Sequence, residues 1–509
     1  MLFAKYDLVS PPPLPAAVRG ALAGAVAAVA ICRLWRLPEA GLPDYDSVRN
    51  WQVVGELAAG DFAHLFHHGS PGFLLFFAAV ARVLGPGYFG LQLVNAGLAL
   101  GGLAWFGAWV TAEVRLRPGP AAAVVLLGGT GLLLTFSGRD FTMNSLGLLL
   151  GTGLLQRYFR RLHAPPAAAG GALLRAVGWL AAGLCCNYKF LFAVPILALL
   201  EWHRADGLLR RPGLALRALA VLALPYLVLG AAGVAMGLPW YRWLGFYFRT
   251  VWPAASNPAG RHATLHLDWG FYLRYLTDFE LPLLLPALVA VAVVAIRAGY
   301  WRRGQPLPLA AFLAAWAGCL LLGMSLLLKA PRGLLLAYLP LAALLVLAAA
   351  AWLPHRVAGA LLLASLGLNL YRLHTQLYAY LPSGYPAVAA WLRAHPAGDV
   401  AATGSLGLAP YLPEGQPLTV VLSIQKPFPI TQNGIRYLLL DDYVRVANLP
   451  GFDSLRQQLP LAAWPARPLL APLLYLEHAE YTGLGYAQTL RRAAAVATDT
   501  AQLRLYYWR

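Results

Sequence analysis

The chain has 509 residues, of which 59% are hydrophobic and 12% are charged. Soluble domains carry about 25% charged residues, so a single soluble core of this length would expose too much apolar surface. The net charge of +18 does not indicate nucleic acid, because the basic residues cluster at the ends of apolar segments, where they anchor helices and meet anionic lipid headgroups. Composition therefore predicts a polytopic α-helical membrane protein that contacts membrane lipids and no nucleic acid.

The first apolar run extends from about Ala16 to Ile31 and follows Lys5 and Arg19. No convincing small-residue cleavage site follows it, so we expect an uncleaved helix with its N-terminus in the cytoplasm. The polar stretch that comes next, residues 38–70, is the most acidic part of the first third of the chain. The run Pro71–Leu84 is too short to span comfortably and is expected to lie along the outer surface. Residues 38–87 thus form a first outer loop.

Further apolar runs bring the predicted number of transmembrane helices to about eleven. They cover residues 88–112, 120–136, 141–158, 172–186, 188–202, 213–236, 280–297, 307–328, 332–352 and 356–373. Alternating these runs gathers the clustered arginines on one side, which is therefore assigned to the cytoplasm. These clusters are Arg115/Arg117, Arg157/Arg160/Arg161, Arg204/Arg210/Arg211 and Arg297/Arg302/Arg303. The acidic first loop and a second long loop, residues 237–279, then face outward.

The composition changes after about Tyr371, where a soluble C-terminal α/β domain is predicted on the outer side. Ala387–His395 has the pattern of a short amphipathic helix. Apolar and β-branched runs predict strands at Val400–Thr403, Leu418–Leu422, Ile435–Leu440 and Leu503–Trp508. The predicted domains are therefore residues 1–373 in the membrane and residues 374–509 outside it.

The sequence Asp44-Tyr-Asp46-Ser-Val-Arg49 follows the first helix on the outer side. Carboxylates and an arginine at this spacing can serve as a base and an anion clamp at a membrane surface. The alternative is a solvated loop with routine ion pairing.

Isolated basic residues form a second candidate group on the outer side: Arg139, Lys189, Arg249, Lys329 and Arg332. A cation about 4 Å from a phosphate gains on the order of 4 kcal/mol at an effective dielectric near 20. Convergent cations in an apolar bundle therefore suit an anionic lipid headgroup. Snorkelling to the interface is the alternative for each residue taken singly.

Two other groups are weaker candidates. His64, His67 and His68 are not accompanied by cysteine, so interfacial or structural histidine is favoured over a metal site, although a mixed site with carboxylates is left open. Tyr241, Trp243, Tyr247 and Trp252 are typical of an interfacial aromatic belt, with stacking on a sugar or prenyl chain as the alternative. No glycine-rich phosphate motif is present, and we expect neither a cofactor nor a bound metal.

The order and sidedness of these motifs resemble GT-C fold glycosyltransferases, in the group of dolichyl-phosphate-mannose protein mannosyltransferases and bacterial aminoarabinose transferases. Asp46-Ser-Val-Arg49-Asn resembles the family's Asp-Glu motif, with Ser47 in place of the glutamate. His68-Gly-Ser-Pro71, after Leu57-Ala-Ala-Gly60-Asp61, stands where His-Pro-Pro usually occurs. Ser137-Gly-Arg139-Asp140 and Lys329-Ala-Pro-Arg332 through Tyr338-Leu-Pro340 resemble two later segments.

The resemblance implies an inverting transfer of a sugar from a polyprenyl-phosphate donor to a glycan, lipid or protein acceptor at the outer face. Asp46 is the expected base, with Asp44 as the runner-up. The donor phosphate would be bound by Arg49, Arg139, Lys189, Arg249, Lys329 and Arg332. His68, Asp140, Tyr188 and Tyr338 are expected near the substrates.

Other function classes give different expectations. A lipid or solute transporter or flippase would place ionisable residues near the middle of the membrane and broken helices in two matching halves. A purely structural assembly protein would leave the outward set of carboxylates and cations unexplained. The sequence favours the transferase, in the inner (plasma) membrane with a periplasmic or extracytoplasmic C-terminal domain.

Overall fold

The computed structural model describes residues 13–39, 45–204, 207–245, 268–302, 304–326, 329–395, 398–403, 407–413, 416, 418–421, 435–441, 452–465, 476, 485–498 and 502–507. The predicted site residues Asp44 and Arg249, and the middle of the predicted second outer loop, lie outside this set.

Helices make up most of the described chain up to residue 376. They are α1 (Ala16–Leu34), α2 (Tyr45–Ala58), α3 (Pro71–Leu84), α4 (Tyr88–Val114), α5 (Pro118–Gly129), α6 (Leu132–Arg139), α7 (Asn144–His163), α8 (Pro166–Cys186), α9 (Ala193–His203), α10 (Pro212–Ala235), α11 (Phe271–Phe279), α12 (Leu284–Arg297), α13 (Leu309–Ser325), α14 (Leu335–Trp352) and α15 (His355–Gln376). Four of them begin with proline, which fits the first helical position because its missing N–H has no intrahelical acceptor there.

Among the described residues, six helical segments are long and apolar enough to cross a membrane, or seven if the bent pair α5–α6 is one span. Three shorter apolar helices, α3, α12 and α13, come in addition. A mostly helical chain with several candidate spans is thus confirmed, while the number of about eleven stays a prediction. The predicted run 120–136 is two helices bent by 63° at Thr130 and Gly131.

The predicted first outer loop is more ordered than its polar composition indicates. It contains α2, whose buried side chains are Ser47, Val48, Asn50, Val53, Val54 and Leu57. Two of these six are polar, and both lie in the first half of the helix, which weakens the apolar periodicity that marks a helix there. The predicted short surface helix Pro71–Leu84 is present as α3 with the same bounds.

The C-terminal part forms a five-stranded sheet in the order β2-β1-β3-β5-β4. Its strands are β1 (Asp399–Thr403), β2 (Leu418–Val421), β3 (Ile435–Asp441), β4 (Ala462–Pro465) and β5 (Gln502–Tyr507), with helices α16 (Tyr385–Arg393), α17 (Asp453–Arg456) and α18 (Tyr486–Thr498). The strands β2, β1 and β3 are parallel, while β5 runs antiparallel to β3 and β4. The predicted α/β character is confirmed, and the domain boundary near residue 373 stays a prediction.

This sheet unit contacts the helical part at Pro38, at α4 and at α11. Tyr411 donates to the Pro38 carbonyl over 2.8 Å and lies against Phe89 with ring centroids 5.5 Å apart. Tyr486 on α18 donates to Asp278 Oδ2 over 2.8 Å. The sheet therefore lies at the end of the helical bundle where Pro38 and α11 are found.

Candidate active site

Asp46 lies in the first turn of α2, and a histidine and an arginine from distant segments approach its two oxygens. His68 Nε2 is 3.3 Å from Asp46 Oδ1, and Arg332 Nη2 is 3.9 Å from Asp46 Oδ2. The Asp46 side chain is 39% exposed, whereas that of Arg332 is 11% exposed. The carboxylate is thus reachable from outside, next to a guanidinium that is largely sheltered.

Asp140, one residue beyond α6, faces the same arginine. Its Oδ2 is 4.0 Å from Arg332 Nη1, and its side chain is fully buried. The guanidinium therefore lies between two carboxylates that differ in access to solvent. Asp46, His68, Asp140 and Arg332 are four of the residues proposed from the sequence, and the fold brings them together from four separate segments.

Ser47 ties α2 to the segment that carries Asp140. Its hydroxyl accepts a hydrogen bond from the Phe141 backbone N–H at 2.9 Å and lies 2.7 Å from the Tyr88 hydroxyl. Asn95 donates to the Asp140 carbonyl over 2.8 Å. Sequence reasoning treated Ser47 only as a departure from the family motif. Its neighbour in the helix is Asp46, and the small hydroxyl at position 47 connects that helix to Phe141.

The turn that bears Arg332 is held from α11. It is a 3-10 turn, Pro331–Leu334, that leads directly into α14. Tyr272 donates to the Ala330 carbonyl over 3.2 Å, and a side chain at Gly333 would begin 2.6 Å from the Tyr272 hydroxyl. Lys329, two residues before Pro331, is 1% exposed. Glycine at position 333 is thus required for the close approach of Tyr272.

His68 has a backbone conformation that is unusual for a residue with a side chain, with φ 50° and ψ 19°. Such left-handed non-glycine residues cost energy and are common at functional sites. Trp243 holds the turn by donating to the Gly69 carbonyl over 3.2 Å, and it stacks on Tyr226 at 4.3 Å. Trp243, predicted as part of an interfacial belt, is therefore a buried support of this turn.

His67 is held neutral beside this site. Burial, with smaller contributions from the neighbouring His68 and Arg49, lowers the pKa of His67 to about 3. The two imidazole rings lie 4.0 Å apart, and the His67 ring carries no positive charge at neutral pH.

Other proposed residues contact different partners. Arg49 pairs with Glu56 on its own helix at 2.9 Å, and Lys189 Nζ donates to Asn144 Oδ1 over 3.2 Å. Arg139 is fully buried and donates to the carbonyls of Arg33 and Trp35. Tyr188 is half-buried beside Lys189. None of these contacts is to Asp46, and the phosphate-binding and substrate roles given to these residues stay predictions.

Tyr338 belongs to another cluster, centred on a residue that the sequence did not single out. Its hydroxyl donates to Glu280 Oε2 over 2.8 Å, and both side chains are fully buried. A lone glutamate at the edge of an apolar run is the only sequence signal for this contact.

No candidate metal site is found among the described residues, because no three of their His, Cys, Asp or Glu side chains lie close enough together to hold an ion. His64 Nδ1 lies 2.7 Å from Glu56 Oε2. The expectation that the protein works without a metal stays a prediction.

The arrangement offers a base and an anion-binding group side by side. An accessible carboxylate can take a proton from a hydroxyl, and a sheltered guanidinium can bind a phosphate with short charge-assisted hydrogen bonds. The site is therefore suited to a displacement in which an alcohol attacks and a phosphate leaves.

No protein-family model matches this chain, and no curated protein matches it in sequence. Its fold, in contrast, is similar to that of solved structures. ArnT from Cupriavidus metallidurans in the apo state has a TM-score of 0.53 at 15% identity, over 86% of this chain and 95% of that one. The same protein bound to undecaprenyl phosphate gives 0.54 at 15% identity, over 88% and 96% of the two chains.

A second similar structure is the archaeal oligosaccharyltransferase AglB from Archaeoglobus fulgidus in complex with an inhibitory peptide and a dolichol-phosphate. Its TM-score is 0.55 at 13% identity, over 84% of this chain and 69% of that one. Identities this low show a shared architecture, and the coverage shows that it extends over most of the molecule. The fold expected from the sequence is thus confirmed: this chain has the GT-C fold.

Proposed function

We propose that this protein is a membrane glycosyltransferase that moves a sugar from a polyprenyl-phosphate donor to an acceptor at the outer face of the membrane. The observation that carries the proposal is the meeting of Asp46, His68, Asp140 and Arg332 around one accessible carboxylate. Similar structures hold undecaprenyl phosphate in ArnT and dolichol-phosphate in AglB, which supports a lipid-linked donor for this chain.

The chemistry follows from the two charges at the site. The acceptor hydroxyl attacks the anomeric carbon as its proton passes to Asp46, and the bond to the donor phosphate breaks with its electron pair leaving on the phosphate oxygen. One such displacement inverts the anomeric centre. Asp46 is preferred over Asp140 as the base because Asp140 is fully buried. Asp44 remains the runner-up.

Arg332 is assigned to the departing phosphate, with Lys329 as its partner. The guanidinium is 3.9 Å from Asp46 Oδ2, so the phosphate that leaves and the base that takes the proton would lie side by side. Since charge develops on the phosphate as the bond breaks, a fixed cation there stabilises the transition state. The acceptor class is a glycan, a lipid or a protein.

The proposed setting is the plasma membrane, with the N-terminus in the cytoplasm and the C-terminal sheet outside. A transferase on the outer face has no access to cytosolic nucleotide sugars, so its donor must be carried across the membrane on a lipid. Product formed from a soluble nucleotide sugar, with no lipid carrier present, would contradict this donor class.

The test is transfer by the purified protein in liposomes that contain a polyprenyl-phosphate sugar. Asp46→Asn should reduce turnover by about 10²–10⁴-fold, the contribution of a positioned general base. The matched control is Asp61→Asn, an exposed carboxylate in the same outer segment that accepts a hydrogen bond from the Ala63 N–H. Near-normal turnover by a folded Asp46→Asn protein would show that Asp46 is not the general base.

The alternative function, a lipid or solute transporter or flippase, is tested in the same liposomes. The bent pair α5–α6 is a feature that broken transporter helices share, and the described residues contain one such pair. Movement of the polyprenyl lipid between leaflets without sugar transfer would favour transport. Sugar transfer with no lipid movement would favour the transferase.

A further inference from the structure

Glu280, between α11 and α12, has a fully buried carboxylate, and each of its two oxygens accepts two hydrogen bonds. Oε1 accepts from the Leu133 N–H at 2.7 Å and from the Tyr275 hydroxyl at 2.9 Å. Oε2 accepts from the Leu132 N–H at 3.0 Å and from the Tyr338 hydroxyl at 2.8 Å. A buried carboxylate is costly unless it is hydrogen-bonded, and here each oxygen has one backbone and one phenolic donor.

The backbone donors belong to the first turn of α6, the second half of the bent pair. The first N–H groups of a helix have no acceptor inside it, and a carboxylate there also meets the positive end of the helix dipole. Glu280 thus accepts hydrogen bonds from the first two N–H groups of α6, a helix of eight residues. The chain continues from this helix directly into Asp140. The position of Glu280 fixes where that short helix begins.

Tyr338 connects the Glu280 carboxylate to the segment that carries Arg332. It lies on α14, the helix that follows directly from the turn carrying Arg332. The contact is close, because a Cβ at Gly131 would lie 2.0 Å from the Tyr338 hydroxyl. The carboxylate therefore joins the helix before Asp140 to the helix after Arg332.

We propose that Glu280 is a positioning residue that sets Asp140 against Arg332 by holding the N-terminus of α6 and Tyr338 of α14 on one carboxylate. This inference rests on the proposed function, because its consequence is the placement of the cation assigned to the donor phosphate. Glu280 itself does not touch Asp46, Asp140 or Arg332 in any described contact and acts through the two helices.

The chain provides a matched control in Glu201. This buried carboxylate also has four donor contacts, from Tyr158, the Leu208 N–H and two nitrogens of Arg161. It lies on α9 and joins α7 to the segment after α9, so it shares the burial and the number of donor contacts of Glu280, with the Arg161 guanidinium among its partners and no contact with Asp140 or Arg332 in the described residues. Any loss of activity common to Glu280→Gln and Glu201→Gln is due to loss of general stability.

The first experiment measures sugar transfer at varied donor concentration by Glu280→Gln, Arg332→Ala and the double variant. An amide keeps one acceptor oxygen and turns an NH₂ donor toward two other donors, so α6 and Tyr338 cannot both stay in place. We expect a loss of about tenfold to a hundredfold in kcat/KM for Glu280→Gln, the scale expected of a misplaced reacting group.

The double-variant cycle separates positioning from stability. Once Arg332 is absent, its placement no longer matters, so Glu280→Gln should add little to Arg332→Ala. Glu201→Gln, in contrast, should leave kcat/KM close to that of the wild type. If it causes a small fold-loss, the double variant Glu201→Gln/Arg332→Ala should show the product of the two single fold-losses, as expected for independent sites. Glu280→Asp, which keeps both oxygens, and Tyr338→Phe, which removes one donor, should give intermediate losses.

The second experiment is hydrogen exchange, which needs no substrate. Residues 132–140 should exchange faster in Glu280→Gln than in the wild type and should be unchanged in Glu201→Gln. If these residues are equally protected in Glu280→Gln, or if its loss multiplies with that of Arg332→Ala, the inference is wrong. A wild type that transfers no sugar would sink the proposed function instead, and the exchange result would still decide whether Glu280 holds α6.

Discussion

Arg332 is central to the proposed chemistry, because it lies near an exposed carboxylate on one side and a buried one on the other. The two carboxyl groups of Asp46 and Asp140 compete with an incoming phosphate for this one guanidinium. An incoming phosphate therefore needs further positive charge close by. Lys329, on the same short segment, is the residue to which we assign that charge.

Arg332→Ala should weaken both donor binding and transfer. Losing one charge-assisted hydrogen bond costs roughly 1.5–3 kcal/mol, which is about ten- to a hundredfold in rate. Arg332→Lys should recover only part of the activity, because an ammonium lacks the planar fork of the guanidinium. Steady-state transfer and donor affinity are the measurements, with melting temperature as the folding control and Arg117→Ala, at the start of α5, as the matched arginine. Unchanged affinity and rate would mean that Arg332 only anchors its turn.

His67 gives the site a pH-dependent stability. Its pKa is about 3 in the folded protein against an ordinary value of 6.5, so the unfolded chain binds the extra proton first as the pH falls. The contribution of His67 to stability is thus fully present above about pH 6.5 and is lost progressively toward pH 3.

We expect the melting temperature of the wild type to fall between pH 7 and pH 4, and His67→Gln to fall less steeply over the same window. His64→Gln, which changes the exposed histidine paired with Glu56, is the control. Parallel melting curves for the wild type and His67→Gln would show that protonation of His67 does not limit stability.

At the scale of elements, the site depends on short segments that are held at their ends. α2 is connected to the Asp140 segment through Ser47, the Arg332 turn is held by Tyr272, and the His68 turn by Trp243. Each of these contacts joins a short segment to a longer, better packed helix or to a buried aromatic cluster. Loss of one contact should move one side chain of the site rather than unfold the bundle.

Ser47→Ala tests this view of α2. The substitution leaves the buried Phe141 N–H without its acceptor and removes a contact of the Tyr88 hydroxyl, at a cost of about 1–3 kcal/mol for an unsatisfied buried group. The turnover should fall, because Asp46 and Asp140 lose their common connection. Thr277→Ala, which removes an exposed hydroxyl bonded within its own helix, is the matched control. Equal melting temperature and turnover in Ser47→Ala and the wild type would refute the connection.

At the scale of the whole molecule, the C-terminal sheet bridges two parts of the membrane unit. Tyr411 reaches the first outer segment at Pro38, and Tyr486 reaches α11 at Asp278. The guanidinium of Arg274 also lies 5.2 Å from the centre of the Tyr486 ring. The helix α11 carries Tyr272 and Tyr275, which contact the Arg332 turn and Glu280. The sheet is thereby connected to both sides of the site.

The double variant Tyr411→Phe and Tyr486→Phe should loosen this connection. Each lost hydrogen bond contributes about 0.5–1.5 kcal/mol, so the bundle should stay folded while residues 271–279 become less protected. Hydrogen exchange of that segment is the measurement, and Tyr371→Phe, an exposed tyrosine on α15, is the control. Protection of residues 271–279 equal to that of the wild type would show that the sheet does not brace α11.

The sequence alone determined the class of the molecule and most of its elements, because these depend on local properties. Apolar runs such as 332–352 and alternating strands such as Ile435–Leu440 carry their own signal in hydropathy and periodicity. The order of the motifs around Asp46, His68, Asp140 and Arg332 also pointed to the GT-C fold before any contact was known. These residues belong to separate segments, and their types and order are visible in one dimension.

Only the tertiary structure decided which charges meet. Arg49, close to Asp46 in sequence, pairs with Glu56 instead. Arg139 donates hydrogen bonds to the backbone carbonyls of Arg33 and Trp35. Glu280 accepts a hydrogen bond from Leu132 across a separation of 148 residues, and α2 forms although two of its six buried side chains are polar. A partner chosen over such a separation depends on how helices pack and bend, since hydrogen bonds and ion pairs act over a few ångströms in space and leave no periodic trace along the chain.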